Sequence, residues 1–218
     1  MPTGTGDIDA AILEAARQSV LDDGLERTTM SGVARRAGIS RPTLYARYKG
    51  LPELTSTLLT EELLGVVSAL NPAPETVEDL IAALVSSAEQ ASASDLLAAV
   101  LRTDYSYAYT FTVERLGSAQ LRIVTLLEKI IQRIQTSDEV RIGIGSRSSD
   151  TPEVSCISTR EPRVLALVSY GMVRHIAITA TLADKALEGL STWQEELARS
   201  LRGYLVDHDP QHQRVRRT

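Results

Sequence analysis

The chain has 218 residues, 43% hydrophobic and 23% charged, with a formal net charge of −5; these values describe a globular protein and exclude a collagen-like, disulfide-scaffold or wholly disordered chain. A lone cysteine, Cys156, rules out an internal disulfide and a cysteine-based zinc site, which fits a reducing cytoplasm. No apolar run is expected to approach the roughly 18–20 residues that span a bilayer, and the acidic first residues carry no secretory signal, so no membrane partner is expected.

Taken in order, apolar residues recur at helical spacing and no sustained strand pattern is present. Residues 8–23 place Ile8, Ile12, Leu13, Ala16 and Val20 on one side, and Gly24 follows where a helix-ending glycine belongs. A short helix is predicted over 30–37, capped by Thr29 or Thr28. Gly38-Ile39-Ser40 reads as a tight turn, and Ser40 caps a further helix from Arg41 to about Tyr48. Pro42 is tolerated there because first-turn amides have no acceptor within a helix. A fourth helix is predicted over about 51–70, ended by Asn71-Pro72-Ala73-Pro74. Further helices are predicted near 75–91, 94–103, 105–116, 118–136, 162–183 and 191–206. The polar stretch 136–162 reads as a partly disordered loop, with a small hairpin through Val140, Ile142 and Ile144 as the alternative. The fold class is all-α. The expected domains are a helix-turn-helix domain over 1–50 and a helical C-terminal domain over 51–218, with the fourth helix as connector.

Charge is distributed unevenly. Residues 27–49 contain Arg27, Arg35, Arg36, Arg41, Arg47 and Lys49 and no Asp or Glu, a local charge of +6. Outside them 17 basic residues face 28 acidic ones, a balance of −11. A positive patch on an acidic body is an electrostatic footprint for a polyanion. The patch coincides with helix, glycine turn and helix, the arrangement that sets a second helix into the major groove. Ala34, Ala37 and Gly38 allow close helix approach, while Val33, Ile39 and Leu44 supply buried contacts. Arg41, Pro42, Thr43 and Arg47 are expected on the outer face, with Arg36 in the patch beside them. The hydroxyls of Thr29 and Ser40 sit at helix starts, where they cap the helix or hold phosphate oxygens.

Residues 8–54 resemble the DNA-binding domain of the TetR family of bacterial regulators. The resemblance is carried by Ile12, Ala15, Ala16, Gly24, Thr28-Thr29, Val33-Ala34, Ala37-Gly38-Ile39-Ser40, Thr43-Leu44-Tyr45 and the aromatic Tyr48. It implies that the Tyr45 hydroxyl touches phosphate, that Thr43 and Arg47 contact bases or backbone, and that Tyr48 packs the domain core. The family's helix-4 lysine is absent: Leu51 stands there, followed by Pro52, and Lys49 is the substitute expected to reach phosphate. The resemblance further implies a cytoplasmic, nucleoid-associated bacterial repressor that binds operator DNA as a homodimer through its last two long helices.

Candidate dimer residues on those helices are Val168, Gly171, Ile178, Trp193, Leu197 and Leu201, with burial inside a single chain as the alternative. A small hydrophobic or aromatic effector is expected among the C-terminal helices. Tyr105, Tyr109 and Phe111 are its candidate contacts, with Met172 and His175; core packing is the competing role for each. An enzyme is not expected. No Glu-x-x-His, HExxH, Walker A or G-x-S-x-G pattern occurs, and no cofactor or metal is implied. A DNA-binding regulator or architectural protein without a small-molecule effector is the alternative function, and an all-α enzyme a more remote one.

Overall fold

The computed structural model describes residues 5–67, 70, 72–103, 118–145, 156–182 and 193–206. Among them regular structure is helical, apart from one antiparallel bridge between Ile157 and Val206. The helices are α1 (Thr5–Asp23), α2 (Met30–Arg36), α3 (Arg41–Tyr45), α4 (Leu51–Val67), α5 (Val77–Ser92), α6 (Asp95–Thr103), α7 (Ser118–Gly145), α8 (Pro162–Leu182) and α9 (Trp193–Leu205). Two compact units result, one of residues 1–66 and 90–119, the other of 67–89 and 120–218.

The first unit is built on one apolar cluster. Ile12, Ala16 and Val20 of α1 meet Met30, Val33 and Ala34 of α2 and Leu44 of α3. Leu54, Leu58 and Leu59 of α4 and Leu96 and Val100 of α6 belong to the same cluster. The compact unit therefore extends past residue 50, because these leucines are covered only by joining it. Charge tightens the same contact: Arg17 pairs with Glu62, whose other oxygen accepts the Ser94 hydroxyl at 2.5 Å.

In the second unit, α5 starts with a reciprocal cap. The Thr76 hydroxyl accepts the Asp79 amide at 3.1 Å, and Asp79 accepts from both the amide and hydroxyl of Thr76. Those hydrogen bonds hold the Asp79 carboxyl below its ordinary pKa. α7 buries Ile123, Val124, Leu127, Ile130, Ile131 and Ile134, and α9 buries Leu197, Leu201 and Leu205.

Three expectations change. The stretch 136–145, expected to be loop or hairpin, continues α7. The hydroxyls of Thr136 and Ser137 donate back to the carbonyls of Gln132 and Arg133, so these residues turn their competing groups onto the helix itself. Asp138, 5% exposed, then accepts the Ile157 amide at 2.9 Å, so the polar residue is satisfied inside the unit. Leu197 and Leu201, candidate dimer residues, are 2% and 0% exposed and face the protomer's own core. Finally, α8 is long and apolar enough to cross a membrane by length and composition, although its sequence is broken by Arg174. Only 33% of its apolar window is buried. Its inner face carries Leu165, Ala166, Tyr170 and Ala177, while Val164, Leu167 and Leu182 stand about half exposed on the other side. Burial pushes the Tyr170 phenol up to about 12.

Candidate nucleic-acid interface

Local rules explain how the α2–α3 pair is shaped. Thr29 is the N-cap of α2: its hydroxyl oxygen accepts the Gly32 amide at 3.1 Å. Thr28 has a different task, donating its hydroxyl to the Gly24 carbonyl at 2.9 Å and holding the preceding turn. α2 ends in paired closing bonds, from the Ile39 amide to the Ala34 carbonyl at 3.0 Å and from the Gly38 amide to the Arg35 carbonyl at 3.2 Å. That closure requires a left-handed residue between them, and Gly38 supplies it with φ +68°. Ser40 then caps α3, accepting the Thr43 amide at 3.2 Å, with the Thr43 hydroxyl 2.7 Å away. Ser40→Ala is expected to destabilise the unit by about 0.5–2 kcal/mol, measured by urea unfolding; an unchanged midpoint would remove the cap from the account.

The turn leaves one edge of α3 open. Arg41, Pro42 and Tyr45 are exposed, Tyr45 by 52%, while Leu44 between them is fully buried. Tyr48 is 8% exposed and belongs to the core cluster, as expected of this aromatic. Burial first, then the negative charges of Asp9 and Glu61, raise its phenol above the ordinary range. Lys49 is exposed at the start of α4, and its backbone amide is taken by the Glu53 carboxylate at 2.7 Å. Leu51 packs against the head's core, which explains an apolar residue at this position.

Not every arginine of the patch points outward unpaired. Arg47, expected on the outer face, donates to Asp9 of α1 at 2.6 Å, with its side chain 23% exposed. Arg36 donates to Asp22 at 2.6 Å. Asp9 and Asp22 are the patch residues that sequence reasoning missed. They lie outside residues 27–49, so the charge count assigned them to the acidic body, while the fold brings them to the patch. Arg35, Arg41 and Lys49 have no ion pair among the described residues. The patch thus combines unpaired cations, two paired ones, a projecting tyrosine hydroxyl and two capped helix starts. Groups of these kinds are the ones that hold phosphate oxygens and reach base edges in protein–DNA complexes.

Of the remaining candidates, Tyr105, Tyr109 and Phe111 lie outside the described residues. Met172 is half-buried and His175 exposed on α8, so His175 is not a core histidine of the protomer. Val168, Gly171 and Ile178 are half-buried, as is Trp193 on α9.

Comparison with known proteins agrees with this geometry. Residues 12–53 match the family model for bacterial regulatory proteins of the tetR family. Uncharacterized HTH-type transcriptional regulators of Mycobacterium bovis and Mycobacterium tuberculosis are each 28% identical over 205 residues, covering 94% of this chain and 98% of theirs. A TetR-family regulator from Pectobacterium atrosepticum superposes with a TM-score of 0.65 at 16% identity, over 94% of this chain and 99% of that one. NalD of Pseudomonas aeruginosa, a secondary repressor of a multidrug efflux pump, gives 0.54 at 18% identity, over 94% and 100%. From the capped, glycine-closed helix pair to the helical remainder, the chain is similar to TetR-family and other HTH-type transcriptional regulators, and residues 12–53 carry the tetR-type DNA-binding motif.

Proposed function

We propose that this DNA-binding regulator is a homodimeric repressor, acting on the nucleoid in the bacterial cytoplasm, that leaves its operator when a small hydrophobic effector binds its C-terminal helices. The observation that carries the DNA half is the open edge of α3, where Arg41 and Tyr45 project beside the unpaired Arg35 and Lys49. Dimerisation is supported by the outward stripe of α8. Val164, Leu167 and Leu182 stand about half exposed and Gly171 and Ile178 partly so at helical spacing, with the exposed His175 among them, and an exposed, largely apolar face of this kind marks an interface. The effector half is supported by relatives of the same fold, including SmeT, whose structure is a complex with triclosan.

The test is retention of fragments of the host genome by the purified full chain, followed by titration of the retained sequence. Arg41→Ala is expected to weaken that complex by about 1–3 kcal/mol if it contacts a base, or to flatten its salt dependence if it contacts phosphate. Arg47→Ala is expected to lose less, since its guanidinium must first leave Asp9. Wild-type binding by Arg41→Ala at every salt concentration would refute the assignment of α3.

A further inference from the structure

The second unit holds an open-sided pocket of about 320 Å³. Val67, Leu70, Leu126 and Ile130 give it apolar walls, and Lys129 and Arg133 line it from successive turns of α7. Leu70 and Ile130 are buried, whereas Leu126 is 39% exposed. Among the described residues no carboxylate lines the pocket. Arg133 places one guanidinium nitrogen 3.1 Å from the Pro74 carbonyl, which leaves its other N–H groups free to turn toward a guest. Lys129 is exposed and has no ion pair among the described residues.

Two cations four residues apart on a helix repel each other. An anion between them removes that repulsion and gains charge-assisted hydrogen bonds. A small inorganic anion would leave the leucine and isoleucine walls in water, and an uncharged hydrocarbon would leave both cations without a counter-charge. The volume lies near the lower limit of the roughly 300–1,000 Å³ typical of small-molecule sites, so the guest is compact.

We infer that this pocket binds a free single-chain carboxylate, with its alkyl tail along Val67, Leu70, Leu126 and Ile130 and its head group at Lys129 and Arg133. This compound class is also the effector; that second statement rests on the effector-controlled reading above, whereas the binding site does not.

The experiment is equilibrium dialysis of the full chain against radiolabelled decanoate below its micellar concentration, with decanol and decyltrimethylammonium as competitors. Saturable binding of decanoate is expected, with decanol at least about tenfold weaker, the loss of one charge-assisted contact, and no competition by the ammonium. Lys129→Gln, on an exposed side chain, is expected to weaken decanoate about tenfold with unchanged circular dichroism. Arg133→Gln serves as a second variant. Absent saturation, equal binding of decanol, or wild-type affinity in both variants overturns the site. So does sedimentation with phosphatidylglycerol vesicles without binding of monomeric decanoate. Operator titration at saturating decanoate separates the two readings. Lost operator affinity supports the effector role, and unchanged affinity overturns that role while the dialysis result stands. A chain that retains no DNA under any condition overturns the proposed function and leaves the pocket assignment intact.

Discussion

Truncating Leu44 to alanine is expected to lower the unfolding free energy of the DNA-binding unit by about 2–5 kcal/mol and to abolish operator binding. Leu44 has no solvent exposure and is the buried residue of α3, a helix of five residues. A helix this short has no independent stability in water, since isolated helices below about 12–15 residues are marginal. Its position depends on the leucine entering the cluster of α1, α2 and α4, and its carbonyl also accepts the amides of Arg47 and Tyr48 at 3.0 Å. The side chain that anchors the recognition helix is thus flanked by those meant to read DNA. Urea unfolding followed by circular dichroism, at one fixed protein concentration, measures the stability loss. Leu44→Met, which nearly conserves volume, is expected to cost less than about 1.5 kcal/mol. Equal unfolding midpoints for wild type and Leu44→Ala would show that α3 is held by something else.

Leu167→Glu is expected to produce a folded monomer whose operator affinity is about 10²–10⁴-fold weaker, the range lost when two linked contacts become independent. Leu167 is 46% exposed, so the carboxylate enters water in the single protomer and leaves its core intact. Against a second copy of α8 it would be buried without a partner, at a cost large enough to separate the chains. Gly171 provides an independent check. A Cβ added there meets nothing within 4 Å in the protomer, so Gly171→Val is expected to weaken self-association while protomer stability is unchanged or slightly raised, valine being the better helix former. Sedimentation velocity and operator titration read both variants. A dimer with wild-type affinity in Leu167→Glu would remove α8 from the interface.

Much of the reading head is legible because its determinants are local. Gly38 announces a left-handed position, Ser40 and Thr29 announce caps, and the structure uses all three within a few residues in sequence. Tyr48 is placed in the core by the family resemblance alone, and it is 8% exposed there. Arg47 is not legible in this way, since its partner Asp9 lies 38 residues earlier and only tertiary packing brings them together. The stripe of α9 illustrates a different limit. Periodicity shows that Leu197 and Leu201 share a face, but it does not distinguish the protomer's own core from a partner's surface, and the structure turns them inward. Residues 136–145 were obscured by composition: serine, threonine and aspartate signal turns when their side chains compete with the backbone, and here they bond back to the helix or to Ile157.

On the proposed DNA-binding reading, the carboxylates of Asp9 and Asp22 bear on the rate of genomic search. Each already occupies an arginine that a phosphate would otherwise recruit, so random duplex encountered during genomic search gains little from Arg47 or Arg36. Exposed pairs of this kind are weak and easily exchanged, and a well-fitted site can displace them once the head is seated. Asp9→Asn is expected to lengthen the protein's dwell on arbitrary sequence and slow its scan of the chromosome, and an unchanged dwell on nonspecific duplex would overturn this.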